Sequence, residues 1–321
     1  MRDHSRANQI DGAFTGLTLA CACVVVLLMI GFLVQLFASS SQAINEFGLG
    51  FLWSTDWIAP ASGGPDGLAR EESYGAWPAL YGTIVTTIVA MVVALPSAFL
   101  ISMFLVEVAH PAFARPMSQA LDLLAAVPSI IYGLWGFFIL APPVQEFLKP
   151  LLQGTLGFLP FFAEPDNAFQ SSLLTAGLVL ALMILPYLSA IMRDTFRMVP
   201  AVVKESAYGA GATTWEVTRD ITLRYGMQGM IGSFFLGLGR ALGETMAVLF
   251  IIGNVYDVNL SLFAPGSTIA STLANKFGEA QGLQLSALFY LALILLLITL
   301  VLQVIAQWWL AHVRKQAGGG L

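Results

Sequence analysis

The stretch E-S-A-Y-G-A-G-A-T-T-W-E-V-T-R-D-I-T-L-R, Glu205–Arg224, is polar, charged and short, and it interrupts a chain of opposite character. Of 321 residues, 57% are hydrophobic and 10% charged. Soluble domains carry about 25% charged residues, so a globule of this size has too few charges to cover its surface. The chain reads as an all-α integral membrane protein. Within it, the segment 193–225 is the one long polar connection between apolar runs, opened by Pro200 and alternating small and charged residues from Glu205 to Asp220. It is too short for an enzyme domain, and its shape suits two short helices that seat against a partner.

A spanning helix needs about 20 mostly apolar residues, and six stretches qualify. They are Ala13–Ala38, Trp77–Val106 with a bend at Pro96, Leu123–Ala141, Ser171–Met192, Gly226–Gly253 and Leu285–Leu310. The first is too long for the 7–15-residue apolar region of a signal peptide, despite Arg2 and Arg6 before it. The expected organisation is a terminal segment 1–12, a six-span membrane body 13–314 with outer loops 39–76, 142–170 and 254–284, and a tail 315–321.

Lys and Arg in short loops mark the cytoplasmic side. With the N-terminus inside, that side holds Arg2, Arg6, Arg115, Arg193, Arg197, Lys204, Arg219, Arg224, Arg314 and Lys315. The outer side holds Arg70, Lys149 and Lys276, and acids including Asp66, Glu71 and Asp166. Both termini are therefore expected to be cytoplasmic. The outer loop 142–170 is apolar but interrupted by seven Pro and Gly residues. It is compatible both with a surface loop and with a segment dipping toward the membrane.

Two ionisable residues stand inside a span. Arg240 lies about 20 Å from either end of the fifth stretch at about 1.5 Å per residue, and Glu244 follows one helical turn later. A central Arg costs about 2.5–3.5 kcal/mol on insertion scales. Pairing along one face makes both tolerable without explaining their presence, because an apolar pair packs helices at lower cost. Arg240 is read as the cation that meets an anion on a transport path, with Glu244 orienting it; guanidinium geometry suits bidentate contact with oxyanions. Pro128 interrupts the third stretch, and freed backbone N–H groups there make Ser129 a further candidate contact. Asp122, at the inner end of the same stretch, is read as a helix cap or a partner of Arg115.

Other chemistry is poorly supported. Cys21 and Cys23 point to different faces of a helix, and His4, His110 and His312 complete no metal-ligand pattern. No Gly-rich phosphate loop followed by Lys and Ser/Thr occurs. The chain is thus expected to bind no cofactor or metal of its own.

Glu205–Arg224 resembles the EAA loop of ABC importer permeases, which runs Glu-Ala-Ala, three residues, Gly, nine residues, then Ile-x-Leu-Pro. The matching positions are Glu205, Ala207, Gly211, Ile221 and Leu223; Ser206 and Arg224 depart from the pattern, and Arg224 in place of Pro removes a helix stop. V-P-S-I-I-Y-G-L-W-G (Val127–Gly136) and R-A-L-G-E-T-M-A-V (Arg240–Val248), in that order around the loop, are similar to phosphate-specific (Pst) ABC transporter permeases of the C type. I-I-G-N (Ile251–Asn254) and S-L-F-A-P-G-S-T-I-A-S-T-L-A-N (Ser261–Asn275) extend the likeness.

The resemblance implies a six-helix type I importer permease of the bacterial inner membrane that moves inorganic phosphate inward. Its implied partners are an A-type sister permease, two ATP-binding subunits that hold ATP and Mg, an extracytoplasmic phosphate-binding protein and the lipid bilayer, with no nucleic acid. It also implies that Arg240 and Glu244 line the path and that the EAA-like positions dock the ATPase subunits. Two other readings stay open on residues alone: a permease for sulfate or molybdate, and an ion-coupled secondary transporter using Arg240, Glu244 and Asp122 as a relay. An intramembrane enzyme of the His-dependent kind is disfavoured, because no His falls in a span.

Overall fold

Hydrocarbon offers no partner for a peptide group, so apolar stretches of this length close their hydrogen bonds internally as helices. The computed structural model describes residues 4–58, 72–165 and 170–318, with side chains from 11 to 312 of these. Arg2, Asp66, Arg70, Glu71 and Asp166 lie outside the described residues, as do the side chains of Arg6, Arg314 and Lys315.

The chain opens with α1 (His4–Phe47), a 3₁₀ turn and a small antiparallel hairpin of β1 (Trp57–Ile58) and β2 (Ser73–Tyr74). Next comes α2 (Trp77–Met103), with Pro96 inside it, continued by a π-turn at Phe104–Val108. After α3 (Pro111–Ala125), the short α4 (Ser129–Trp135), α5 (Ala141–Pro143) and α6 (Lys149–Leu156) join through π-turns into one run. Then α7 (Leu173–Arg197) leads to α8 (Ala201–Gly209), α9 (Thr214–Val217) and a π-turn at Thr218–Thr222. The chain ends with α10 (Leu223–Leu242), α11 (Met246–Leu249), α12 (Ile269–Lys276) and α13 (Gly282–Gly318).

Among the described residues, five helical runs are long and apolar enough to cross a membrane: Asp11–Leu52, Trp77–Val108, Ser129–Leu156, Leu173–Arg197 and Gly282–His312. The fifth expected stretch, Gly226–Gly253, is helical but not continuous, since α10 stops at Leu242 and α11 starts at Met246. The third begins later than expected, at Ser129, because Pro128 is extended (ψ 135°) and ends the path of α3. It also runs on to Leu156, through half of the expected loop 142–170. Pro142, Pro143 and Pro150 do not break it, because they fall in the first positions of α5 and α6, where a missing N–H is least costly. The expected outer loop 254–284 contains α12 and is largely buried from Ser261 to Thr272.

Two large cores, with smaller clusters around Leu121 and Phe263, hold the described elements. In one, α2 closes on α7 through Ala90, Ala94 and Ala98, which face Leu180, Met183, Ile184 and Leu188, with Ala247 and Val248 of α11 packed alongside. In the other, the end of α1 (Leu36, Ala43) packs on α13 (Leu288, Leu291) with Phe51, Tyr74 and Ile269. Ser286 joins that pair: its Oγ accepts from the Ala43 N–H at 3.0 Å and donates to the Ser39 carbonyl at 2.9 Å. Most of α1 before Leu36 exposes apolar side chains such as Leu27 and Leu28, as a lipid-facing helix does.

The non-helical stretch after α11 is satisfied by its neighbours. Leu173 and Leu174 donate their N–H groups to the carbonyls of Ala264 (3.0 Å) and Leu262 (2.8 Å), and the Ile269 N–H reaches Thr83 Oγ1 at 3.0 Å. The approach to α2 is so close that a Cβ on Gly82 would stand 1.9 Å from the Ser267 carbonyl oxygen. Gly82→Val should therefore separate α2 from this stretch and destabilise the fold by about 3 kcal/mol or more. Gly31→Val, where a Cβ meets nothing within 4 Å, should be neutral. Thermal unfolding of the detergent-solubilised protein, followed by size-exclusion chromatography, distinguishes the two.

Candidate functional site

Helix α10 carries Arg240 in its last turn and ends where Gly243 N–H returns to the Gly239 carbonyl at 3.3 Å. Glu244 and Thr245 then lead into α11, and Glu244 Oε1 accepts from the Ala247 N–H at 3.2 Å, capping that helix. This corrects the expected pairing. An i,i+4 contact needs an unbroken helix, and the break at Gly243–Thr245 turns Glu244 away; no Arg240–Glu244 ion pair forms among the described residues.

What Arg240 does meet is an aromatic face. Its guanidinium carbon lies 4.9 Å from the centre of the Tyr187 ring of α7, and the side chain is half-buried. A cation–π contact is worth about 0.5–2 kcal/mol, less than the roughly 2.5–3.5 kcal/mol that a central Arg costs. Among the described residues, no hydrogen bond or ion pair engages the N–H edges of the guanidinium. The arrangement can therefore take an anion in the plane of the fork.

Across from the break, α4 lies against α11, where a Cβ on Gly133 would stand 3.0 Å from the Ala247 carbonyl oxygen. Tyr132 of α4 donates to the Leu124 carbonyl at 2.9 Å, tying α4 to the end of α3. Ser129 opens α4 one turn earlier and is half-buried. It forms no hydrogen bond to Arg240 or Glu244, so it belongs to the neighbourhood of the site rather than to a shared cluster.

Asp122 is held elsewhere. Arg193, whose side chain is 6% exposed, reaches Asp122 Oδ1 at 3.1 Å, Asp194 at 3.0 Å and the Ser118 carbonyl at 3.2 Å. Its partner is thus Arg193 rather than the expected Arg115, and no relay joins it to Arg240 and Glu244. The Arg193 cluster fastens α3 to the end of α7.

The polar stretch folds as a helical hairpin. α8 ends in a reversal at Gly211, whose φ of +91° is a left-handed conformation that Gly adopts without strain. Thr213 then caps α9: its N–H and hydroxyl both donate to the Glu216 carboxylate, at 2.7 and 2.9 Å, and hold that acid below the usual carboxylate range. Glu205 and Gly211 are exposed, whereas Ala207, Ile221 and Leu223 are half-buried. Around them Val202, Tyr208 and Trp215 are exposed apolar side chains, an unusual surface for a polar loop. Arg224 lets the helix run straight from the π-turn into α10, with its guanidinium 3.6 Å from Asp220.

One residue of this region escapes sequence reasoning. Glu107, at the end of α2, has a side chain only 5% exposed and accepts from Lys204 Nζ at 2.6 Å and Thr222 Oγ1 at 2.8 Å. The available signal is a lone acid within the apolar run Leu105–Val108. Among the described residues, no group of three or more His, Cys, Asp or Glu is placed to hold a metal.

The family model described as "Binding-protein-dependent transport system inner membrane component" matches residues 73–316. The chain is 45% identical over 311 residues to the phosphate transport system permease protein PstC of Pasteurella multocida, covering 96% of this chain and 94% of the relative. It is 42% identical over 321 residues to the protein of the same name from Haemophilus influenzae, covering 99% and 98%. A chain of a bacterial alginate ABC transporter, solved in complex with an alginate pentasaccharide-bound periplasmic protein, superposes with a TM-score of 0.57 at 16% identity, over 90% of this chain and 92% of that one. The chain belongs to the binding-protein-dependent transport system inner membrane component family, and its fold is that of a type I ABC importer permease.

Proposed function

We propose that the chain is the C-type permease subunit of an ATP-driven importer that carries inorganic phosphate into the cytoplasm. The observation that carries this reading is Arg240: a cation in the apolar body that, among the described residues, has no carboxylate or hydrogen-bond partner, in a chain similar along its length to phosphate permeases. Phosphate presents tetrahedral oxygens that a guanidinium contacts in bidentate fashion. Glu244 acts indirectly, by fixing the start of α11 and so the break that aims Arg240. Ser129 and the turn before it line the same route.

In this reading both termini and the 193–225 hairpin face the cytoplasm of a multi-pass inner-membrane protein. Two ATP-binding subunits supply ATP and Mg, an A-type sister permease completes the path, and a phosphate-binding protein delivers substrate from outside. Glu205, Ala207, Gly211, Ile221 and Leu223 form the hairpin that an ATPase cleft receives, with Val202, Tyr208 and Trp215 as its apolar contact. Closure of the ATPase pair then moves the hairpin as a rigid body.

The test is uptake of labelled phosphate, against sulfate and molybdate, by the full complex in proteoliposomes. Arg240→Gln should leave the complex assembled and lower phosphate uptake about 100-fold, the effect of losing roughly 3 kcal/mol of charge-assisted hydrogen bonds. Normal uptake by that variant contradicts the assignment, and preference for sulfate or molybdate transfers it to another oxyanion. Glu205→Lys should abolish recovery of the ATP-binding subunits in a pull-down, and unchanged recovery contradicts the docking role.

A further inference from the structure

The side-chain hydrogen bonds that tie the hairpin Ala201–Thr222 to α2 converge on a single carboxylate. Among the described residues, Glu107 accepts the only side-chain hydrogen bonds that leave this hairpin for another element: Lys204 Nζ from α8 at 2.6 Å and Thr222 Oγ1 from its other arm at 2.8 Å. One acid therefore gathers both arms onto the end of α2. The carboxylate is 5% exposed and the ammonium 17%, so water screens the pair weakly.

The backbone on both sides is unusual. Glu107 stands in the π-turn Phe104–Val108, and Thr222 in the π-turn Thr218–Thr222. Single π-turns are rare and gather at functional sites. Each inserts an extra residue and rotates the side chains that follow, and here the two turns bring residues 115 positions apart in sequence into contact. Further along, α2 packs on both α7 and α10, and α10 is the helix that carries Arg240.

We propose that Glu107 is a positioning residue for transport: a latch through which movement of the hairpin is transmitted to α2, and so to the helices around Arg240. This rests on the import reading above. With the latch, displacement of α8 drags the end of α2. Without it, the hairpin still seats in its ATPase partner and stays continuous with α10, but its movement no longer reaches α2.

Two rates measured on the complete reconstituted complex test this: ATP hydrolysis and phosphate uptake, each with the binding protein present. Glu107→Gln keeps the size of the side chain and removes its charge. The expected result is normal complex recovery, hydrolysis within twofold of the unaltered protein, and uptake at least tenfold lower, so that ATP consumed per phosphate rises at least fivefold. Unaltered uptake overturns the proposal, and so does a proportionate fall of both rates. If Glu107→Gln fails to assemble, Lys204→Met, which leaves the Thr222 bond in place, is judged by the same two rates. A wild-type complex that takes up no phosphate overturns the import reading and the latch together; wild-type uptake with unaltered variants overturns the latch alone.

Discussion

A peptide group in hydrocarbon must be hydrogen-bonded within the protein, and the architecture is organised around the one place where the apolar body contains a long non-helical path. From Gly243 to Thr268 the chain leaves the helix, returns briefly as α11, and continues without regular structure. That path is possible because α2 and α7 supply what a helix would otherwise provide. The first amides of α7 bond to it, Thr83 of α2 closes the start of α12, and Gly82 lets it come close. Both cores follow from this: one wraps α2 and α7 around the path, and the other ties α1 and α13 to its far end.

The break decides where charge goes. Had the fifth stretch been one helix, Arg240 and Glu244 would face each other one turn apart and neutralise each other. Interrupted at Gly243–Thr245, the same residues part company. Glu244 becomes a cap for α11, and Arg240 lies on the Tyr187 face, without an ion-pair partner among the described residues. The contrast with Arg193 is instructive. That side chain, buried where Arg240 is only half-buried, is bound by Asp122, Asp194 and the Ser118 carbonyl, and it holds helices together. One arginine is bound by carboxylates of its own chain; the other, among the described residues, meets an aromatic ring.

Much of this is legible in the sequence, and the rest is hidden for physical reasons. Spans announce themselves by length and apolarity, and the hairpin by its charge and its spacing from Glu205 to Leu223. Arg240 is conspicuous because so few charges compete with it. The break beside it is not, since Gly243 and Thr245 are residues that membrane helices tolerate. Pro142 and Pro143 mislead in the opposite direction: they look like breakers but sit at the start of a helical turn. Arg193–Asp122 and Glu107–Lys204 join residues 71 and 97 positions apart, and no local pattern predicts such pairs. Glu107 is hidden further by the apolar run that surrounds it.

The central claim is that the break at Gly243–Thr245 opens onto an aqueous route and not onto lipid. It is tested most directly by thiol accessibility in the assembled complex, with Cys21 and Cys23 replaced by Ser. Gly243→Cys sits at an exposed position beside Arg240, and Leu28→Cys on the lipid-facing part of α1 is the reference. The account predicts that a membrane-impermeant, anionic thiol reagent modifies Gly243→Cys, that phosphate slows the reaction, and that Leu28→Cys stays unmodified. A Gly243→Cys as inert as Leu28→Cys would contradict it.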